Sequence, residues 1–503
     1  MKSVFIIIFC ALFNATYAQN NPLGDFESNT DIGDPKNSGS AEYDASTQTY
    51  TIKGSGYNIW FGRDEFQYLY KRLKGDFILT ANFGFEGEGV DPHRKVGWMV
   101  RASTDEDAAH MSAVWHGDGL TVLQWRMLKG AHMRDPEDEI FAPKKNYNVI
   151  QLERAGKKYI LRASYVGEPL QEIGSKELES LQDEVLAGLF VSSHNEDVVE
   201  EAKVWNVRIS QPLPDEKNPA ARRFSGSKLE TMNVFDGRRK VVHQSATRFE
   251  APNWMPKGDK LLFNESGFLY TIPVAGGTPD KLNTGFADRN NNDHGISFDG
   301  KMLAISHHRQ GEPGGGSTIY VLPLEGGTPK MVTEKTPSYW HGWSPNGKEV
   351  VYTAQRDGST FNVYKKAING GSEIKLTDNK KGISDGPEYS PDGKFIYYNS
   401  SETGTMQIWR MKPDGSGKEQ LTFNETNDWF PHISPDGKWM VFLSFPADME
   451  PDSHPPYKPV VLKLMPVSGG APKVIAYLEG GQGTINVPSW SPDSKQIAFV
   501  SNF

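Results

Sequence analysis

Histidine and acidic side chains recur at two points in a series of similar segments in the second half of the chain. Imidazoles and carboxylates bind first-row metal ions, and both transfer protons near neutral pH. The candidate catalytic residues are His294, His341, Glu388, His432 and Arg356. The candidate substrate-binding residues are Trp340, Trp429, His307, His308, Asp385, Asp428 and His454.

These residue types suggest carbohydrate chemistry. Arg356 offers a bidentate contact to a substrate carboxylate or sulfate, and Trp340 and Trp429 offer rings on which sugars stack. On a uronate, a histidine or arginine would remove the C5 proton while a divalent cation neutralises the carboxylate. The chain has no His-x-x-x-His spacing, so the metal stays unknown. The alternative interpretation is that the histidines form hydrogen bonds between neighbouring segments.

Six repeats position these residues, and each contains a turn related to Ser-Pro-Asp-Gly. Proline presets φ at the second position of such a turn and glycine accepts a positive φ at the fourth. A strand follows each turn, and four strands per repeat are typical of a β-propeller blade. The turns are 255–258, 297–300, 344–347, 390–393, 434–437 and 491–494.

The repeats also predict how the ring closes. The sixth repeat stops at Phe503, after its second strand. Lys228–Val234 and Lys240–His243 are predicted to supply its third and fourth strands, which leaves no free sheet edge. Because blade strands are antiparallel, the starts of the inner strands and the ends of the second strands share one face. Six of the seven propeller histidines map to that face.

The Ser-Pro-Asp-Gly-Lys turns, the aromatic strands after them and the Gly-Gly-x-Pro turns resemble the TolB-like (WD40-like, PD40 repeat) propellers of bacteria. The resemblance covers residues 224–503. It implies an extracytoplasmic six-bladed propeller, in a family that includes the periplasmic component of the Tol–Pal system, propellers of serine peptidases and relatives among polysaccharide lyases. No Gly-x-Ser-x-Gly nucleophile elbow is predicted in the strand–turn–helix context that a peptidase domain requires.

The first half, residues 20–211, alternates apolar and polar residues with a period of two, which predicts a two-sheet β-sandwich. Its strands, such as Phe77–Phe83 and Val96–Arg101, resemble concanavalin A-like jelly-roll domains, including lectin- and glucanase-type modules. The polar and aromatic residues around Gly117–Gly119, among them His116 and Arg126, are interpreted as a hairpin turn with core tryptophans. Residues 212–223, rich in Pro, Lys and Arg, are predicted to be a linker.

The N-terminus predicts export. Residues 1–18 combine Lys2, an apolar run and a small-residue cleavage site, as in a signal peptide. The only cysteine, Cys10, lies in that run without a lipoprotein cleavage site, so we expect a periplasmic or secreted protein. A net charge of −9 without a basic cluster excludes a nucleic-acid partner, and no later segment is predicted to cross a membrane.

Two functions follow from these observations. The first is an extracytoplasmic carbohydrate-binding or carbohydrate-active protein with its ligand site on the histidine-rich propeller face and the sandwich as an accessory glycan-binding module. If it is an enzyme, we expect a polysaccharide lyase or a glycoside hydrolase, with a divalent metal ion as the candidate cofactor. The alternative is a non-catalytic TolB-like propeller that binds a protein partner in the cell envelope.

Overall fold

The computed structural model describes residues 21–503, apart from 215–221, 357 and 359. The predicted signal peptide, residues 1–18, lies outside these residues, as does most of the predicted linker. The described chain is built from β-strands, with one short 3-10 turn at Pro313–Gly316. No helix within the described ranges is long and apolar enough to cross a membrane.

The first half forms two seven-stranded antiparallel sheets. Its strands are β1 (Ser28–Ile32), β2 (Ser40–Asp44), β3 (Thr49–Gly56), β4 (Ile59–Trp60), β5 (Arg63–Asp64), β6 (Phe66–Lys74), β7 (Phe77–Glu86), β8 (Lys95–Arg101), β9 (His110–His116), β10 (Thr121–Arg126), β11 (Glu139–Phe141), β12 (Val149–Ala155), β13 (Lys158–Ser164), β14 (Gln171–Glu177), β15 (Glu184–Ser192) and β16 (Asn195–Ser210). The strand orders are β1-β6-β15-β8-β9-β10-β11 and β14-β13-β12-β7-β16-β3-β2, with β4 and β5 as a separate hairpin.

The two sheets enclose one hydrophobic core. Trp98 of the first sheet packs edge to face against Phe83 of the second, with ring centroids 6.3 Å apart. Alternate residues of each strand enter this core because successive side chains of a strand point to opposite sides. The kinship with concanavalin A-like domains, and the boundaries predicted for the sandwich and the linker, stay predictions.

The second half is a six-bladed propeller. Two short strands precede it, β17 (Leu213–Pro214) and β18 (Arg222–Arg223). Its strands are β19 (Ser227–Asn233), β20 (Arg239–Ser245), β21 (Phe249–Trp254), β22 (Lys260–Glu265), β23 (Phe268–Pro273), β24 (Asp280–Lys281), β25 (Asn290–Ile296), β26 (Met302–His308), β27 (Ser317–Pro323), β28 (Lys330–Met331), β29 (Ser338–Trp343), β30 (Glu349–Gln355), β31 (Phe361–Ala367), β32 (Ile374–Lys375), β33 (Ser384–Tyr389), β34 (Ile396–Ser400), β35 (Gln407–Met411), β36 (Glu419–Gln420), β37 (Asn427–Ile433), β38 (Trp439–Phe445), β39 (Lys458–Pro466), β40 (Lys473–Gly480) and β41 (Gln496–Asn502). Consecutive groups of four strands, from β21–β24 to β37–β40, form blades 1 to 5.

The sixth blade is assembled from both ends of the propeller, as predicted. Strand β19 pairs antiparallel with β41, with Leu229 opposite Val500, and β20 pairs with the other edge of β19. The innermost position holds only a bridge between Trp490 and Ile497. Pro488, just before this bridge, has no N–H to donate, which limits ladder formation there.

The repeated turns are built by their serine and aspartate side chains. In blade 4, the Ser390 hydroxyl donates to Asp392 and accepts from the Phe395 N–H, while Gly393 has a φ of 70°. Aspartate and serine favour turns because their side chains satisfy nearby backbone groups. The motif therefore fixes the conformation of the turn that connects the inner strand of a blade to its second strand.

A buried carboxylate links the first half to the closing blade. Glu230 of β19 accepts hydrogen bonds from Arg208 of β16 (3.0 Å from Nε) and Arg239 of β20 (2.6 Å from Nη2), and also from the Ser501 hydroxyl of β41. Burial favours the neutral acid, but the two guanidinium groups hold the pKa of Glu230 well below its ordinary value.

We expect Glu230→Gln to lower the free energy of unfolding by about 3 kcal/mol, because two buried arginines lose their counter-charge. Urea denaturation would measure the change. Glu325→Gln, which alters an exposed carboxylate, serves as the control. Equal stability of the two variants would show that the Glu230 network does not support the fold.

Removal of β19 and β20 should destroy the propeller. We expect a chain beginning at Thr247 to lose cooperative melting, since β41 would carry a bare edge with unpaired backbone groups. A chain beginning at Arg223 retains both strands and should fold. Circular dichroism melting compares them, and equal cooperativity and melting temperature would contradict the closure.

Candidate functional site

The starts of the inner strands place a polar pair at one mouth of the central channel. His341 of β29 and Asp385 of β33 lie on neighbouring blades, with Nε2 and Oδ1 3.1 Å apart, and both are buried. Burial opposes the imidazolium, but the hydrogen bond and charge of Asp385, together with the charge of Asp293, raise the pKa of His341. The same pair holds the pKa of Asp385 well below its ordinary value, despite burial.

Further ionisable groups surround this pair. Burial, with the charges of Asp385 and Glu250, raises the pKa of Asp293 to about 7, against the opposing effect of His341. Burial also raises the pKa of Glu250, against the charge of Arg248. Burial lowers the pKa of His454, whose ring lies 5.4 Å from that of Phe430. We call Glu250, Asp293, His341, Asp385 and His454 the channel cluster.

The channel cluster can hold and exchange protons. It combines a histidine with a raised pKa, an ionised aspartate and an aspartate whose pKa is about 7. Such a set can hydrogen-bond a polar ligand or attract a cationic group. The described residues contain no group of three His, Cys, Asp or Glu side chains placed to hold a metal ion, so they offer no site for the candidate divalent cation.

Two of the catalytic candidates, Glu388 and His432, form a separate hydrogen-bonded contact between blades 4 and 5. His432 places Nδ1 2.6 Å from Glu388 Oε2, and Nε2 2.6 Å from the carbonyl oxygen of Ile485. The second Glu388 oxygen accepts from the Ile433 N–H at 3.1 Å. Both ring nitrogens therefore have partners within the propeller. This is the inter-blade role that the sequence left as the alternative.

The prediction that two tryptophans are exposed for sugar stacking is wrong. Trp340 and Trp429 are both 0% exposed and belong to hydrophobic clusters. Trp340 fits against Gly295 of the neighbouring blade, where a Cβ atom would clash with the indole ring. The ring of Trp429 lies 4.2 Å from that of His454. Neither indole face is open to a sugar.

Arg356 is likewise committed to the fold, which corrects its predicted role as a substrate clamp. Its guanidinium group donates to Glu373, to the Pro337 carbonyl oxygen at 2.7 Å and to the Ser338 hydroxyl at 2.8 Å. Despite partial burial, Arg356 and Lys335 help to lower the pKa of Glu373 to about 2. These contacts occupy the donors that a substrate carboxylate would need.

Asp428 and the remaining histidines lie apart from the channel cluster's central pair. Asp428 accepts from Ser444 at 2.6 Å and pairs with Lys463 at 3.3 Å, inside blade 5. Burial lowers the pKa of His294 to about 3, and neither of its ring nitrogens has a hydrogen-bond partner among the described residues. His307 accepts from the Arg289 N–H at 3.3 Å, and His308 contacts the Gly315 carbonyl oxygen at 2.7 Å.

The sequence carried a signal for part of the site that the prediction missed. One position, five residues before the turn serine or its equivalent, recurs in each blade. It is occupied by Glu250, Asn292, Tyr339, Asp385, Trp429 and Asn486. Burial, with the charges of Asp293 and Asp385, raises the pKa of Tyr339 to about 12. The tyrosine hydroxyl is therefore within the electrostatic influence of the channel cluster. Asp293 lies one residue after this position in blade 2.

Two of the polar residues near Gly117–Gly119, Arg126 and Asp118, have structural partners, whereas the buried ring nitrogens of His116 have no hydrogen-bond partner among the described residues. Arg126 donates to both oxygens of the buried Asp64, at 2.6 and 2.7 Å. The Asp118 carboxylate accepts from the Leu120 N–H within the turn. Nearby, burial lowers the pKa of Lys95 to about 7, and its ammonium contacts His194 at 3.0 Å.

Comparison with known proteins places the second half among TolB-like propellers. The family model described as the TolB beta propeller domain matches residues 314–450. An uncharacterised protein of Agrobacterium fabrum is 48% identical over 278 residues, which cover 55% of this chain and 92% of that protein. A solved structure from Agrobacterium tumefaciens, provisionally described as TolB, is 48% identical with a TM-score of 0.52, covering 55% of this chain and 98% of its own. The Tol-Pal system protein TolB of Francisella tularensis is 26% identical over 284 residues, covering 55% of this chain and 62% of its own length.

The pKa of Asp293 generates a pH-dependent prediction. Below about pH 4 its carboxyl is protonated in both folded and unfolded chains, and above about pH 7 the folded protein must bury a charge. Asp293→Asn removes that cost. We expect it to raise the free energy of unfolding by about 4 kcal/mol near pH 8, and by only about 1 kcal/mol near pH 4.5.

Urea denaturation at the two pH values would measure this difference. Asp259→Asn, at an exposed aspartate of blade 1, should leave stability almost unchanged at both. A gain for Asp293→Asn that is equal at both pH values would contradict the buried charge.

Proposed function

The chain belongs to the TolB-like β-propeller family, and from this premise we propose that its propeller is a non-catalytic binding module of the bacterial cell envelope. The observation that carries the proposal is the 48% identity to the Agrobacterium tumefaciens structure described provisionally as TolB, of which the chain covers 98%. The Francisella relative is named as a part of the Tol-Pal system. We infer that this chain, too, acts by binding another envelope protein, in the periplasm.

The geometry of the catalytic candidates supports binding over catalysis. Glu388 and His432 bond to each other and to the backbone, and Arg356 is held by Glu373. The two remaining catalytic candidates, His294 and His341, are buried. These side chains are suited to fixing the shape and charge of the channel mouth.

The partner would contact the loops around that mouth, which we call the channel face. Phe286 is 52% exposed beside His307, and its ring lies 5.9 Å from the imidazole. Arg289 and Lys381 are exposed at the entrances to the inner strands of blades 2 and 4, and Glu402 is exposed after the second strand of blade 4. An aromatic ring among mixed charges is typical of a protein-binding surface.

A glycan at the same face is the second candidate function. The observation in its favour is the channel cluster, in which the Asp293 carboxyl can donate or accept a hydrogen bond near neutral pH and the His341 imidazolium can donate one to a hydroxyl group. In this version the first half would be a concanavalin A-like accessory module. The buried state of Trp340 and Trp429 makes this candidate the weaker of the two.

Affinity capture from envelope extracts of the source bacterium tests the proposal with the full chain as bait. We expect a defined protein partner, whose retention falls about tenfold for the double variant Arg289→Glu/Lys381→Glu, since like charges across an interface cost several kcal/mol. The matched control is Lys257→Glu/Lys394→Glu, at exposed lysines on the opposite propeller face.

Equal loss in both double variants, or retention of no specific protein, would contradict the proposal. A glycan array measures the second candidate in parallel. Binding of acidic oligosaccharides that His341→Asn abolishes, with melting temperature preserved, would favour the glycan.

A further inference from the structure

A cavity of about 600 Å³ lies between the first half and the propeller. Thr80 and Gln151 line it from the first half, and Val461 and Tyr477 line it from blade 5. The split blade contributes a third wall, through Lys228, Ser501 and Asn502. No residue of the channel cluster lines this cavity.

The charged residues that line the cavity are mostly cations. The two acidic lining residues are Glu153 and Glu479. The six basic lining residues are Arg162, Arg208, Lys228, Arg239, Lys458 and Lys463. An anion entering this space would therefore meet an excess of positive charge.

Several of these cations already have partners. Arg162 pairs with Glu153 at 2.6 Å, and Lys463 pairs with Asp428 at 3.3 Å. Arg208 and Arg239 share a single carboxylate, that of Glu230. This group of two guanidinium ions and one carboxylate keeps a net positive charge beside the cavity.

The ammonium groups of two of the six cations, Lys458 and the more buried Lys228, make no hydrogen bond or ion pair among the described residues. Lys228 is only 5% exposed. Its one specific contact is with the ring of Phe503, 5.0 Å from the nitrogen. Burial lowers the pKa of Lys228, while the charge of the exposed Asp25 acts in the opposite direction. A buried ammonium without a counter-ion is costly, so an anion in the cavity would relieve an existing penalty.

The cavity also has an aromatic wall that would suit an organic body. Phe224 and Tyr457 line it with ring centroids 6.0 Å apart, next to Pro459. Its volume falls within the range of small-molecule sites, roughly 300–1,000 Å³. Ring faces and prolines bind the apolar faces of a ligand whose polar group faces the cations.

We propose that this cavity is a binding site for a small organic anion, with Lys228 as the counter-ion of its carboxylate or phosphate group. Arg208 and Arg239 strengthen the positive field, and Phe224 and Tyr457 pack against the organic body. The ligand would touch the first half, blade 5 and the split blade together. The site is separate from the surface proposed for the protein partner, because no residue of the channel cluster and none of Phe286, Arg289, Lys381 and Glu402 lines the cavity.

Calorimetry and thermal melting of the full chain test the site with three probes of one ring type: glucuronate, glucose 6-phosphate and neutral glucose. We expect at least one charged probe to bind and raise the melting temperature, and glucose to do neither. Lys228→Met should weaken that binding at least about tenfold, as expected for a lost charge-assisted contact. Without ligand, Lys228→Met should melt no lower than the wild type, because it removes an unpaired buried charge.

Lys257→Met, at an exposed lysine of blade 1, is the control and should bind as the wild type does. Lys458→Gln provides a second variant at the cavity and should weaken binding several-fold, whatever the stability of Lys228→Met. The proposal is overturned if neither charged probe binds, if glucose binds as tightly as they do, or if both cavity variants bind like the wild type.

Discussion

The buried carboxylate of Glu230 is the interaction on which the arrangement of the whole chain depends. It accepts hydrogen bonds from Arg208 at the end of the first half, from Arg239 of the outer strand and from Ser501 of the last strand. The first half, the split blade's outer hairpin and the last strand thus share one charge. Because a buried charge without partners is strongly destabilising, this carboxylate stabilises the arrangement of all three.

Ring closure in turn creates the channel mouth. The channel cluster takes residues from blades 1 to 5, and His432 reaches the Ile485 carbonyl oxygen in the sixth. None of these contacts is local, so their geometry depends on a complete circle of blades. The raised pKa values of Asp293 and His341 are therefore properties of the closed ring, since no single repeat brings those charges together.

The fold was predictable where residues act locally. The Ser-Pro-Asp-Gly turns determine their own conformation, so the repeats predicted the blades, and the missing strands of the last repeat predicted the pairing of β19 with β41. The site was less predictable, because it depends on partners from other blades. The Trp340 ring packs against Gly295 of another blade, and the Arg356 guanidinium donates to Glu373. The residues next to Trp340 and Arg356 in the sequence indicate neither contact.

The pairing of β19 with β41 has a consequence for the order of events during synthesis. Leu229 meets Val500, so the two partners are separated by five complete blades of chain. During translation β19 and β20 are synthesised before the five complete blades, and β41 is synthesised after them. Contacts between residues so far apart in the sequence form slowly. Until then the hairpin keeps an open edge able to pair with another chain. Pairing with β41 is therefore the late step that covers the β19 edge. A chain in which this step has not occurred exposes an unpaired strand edge and is prone to aggregate.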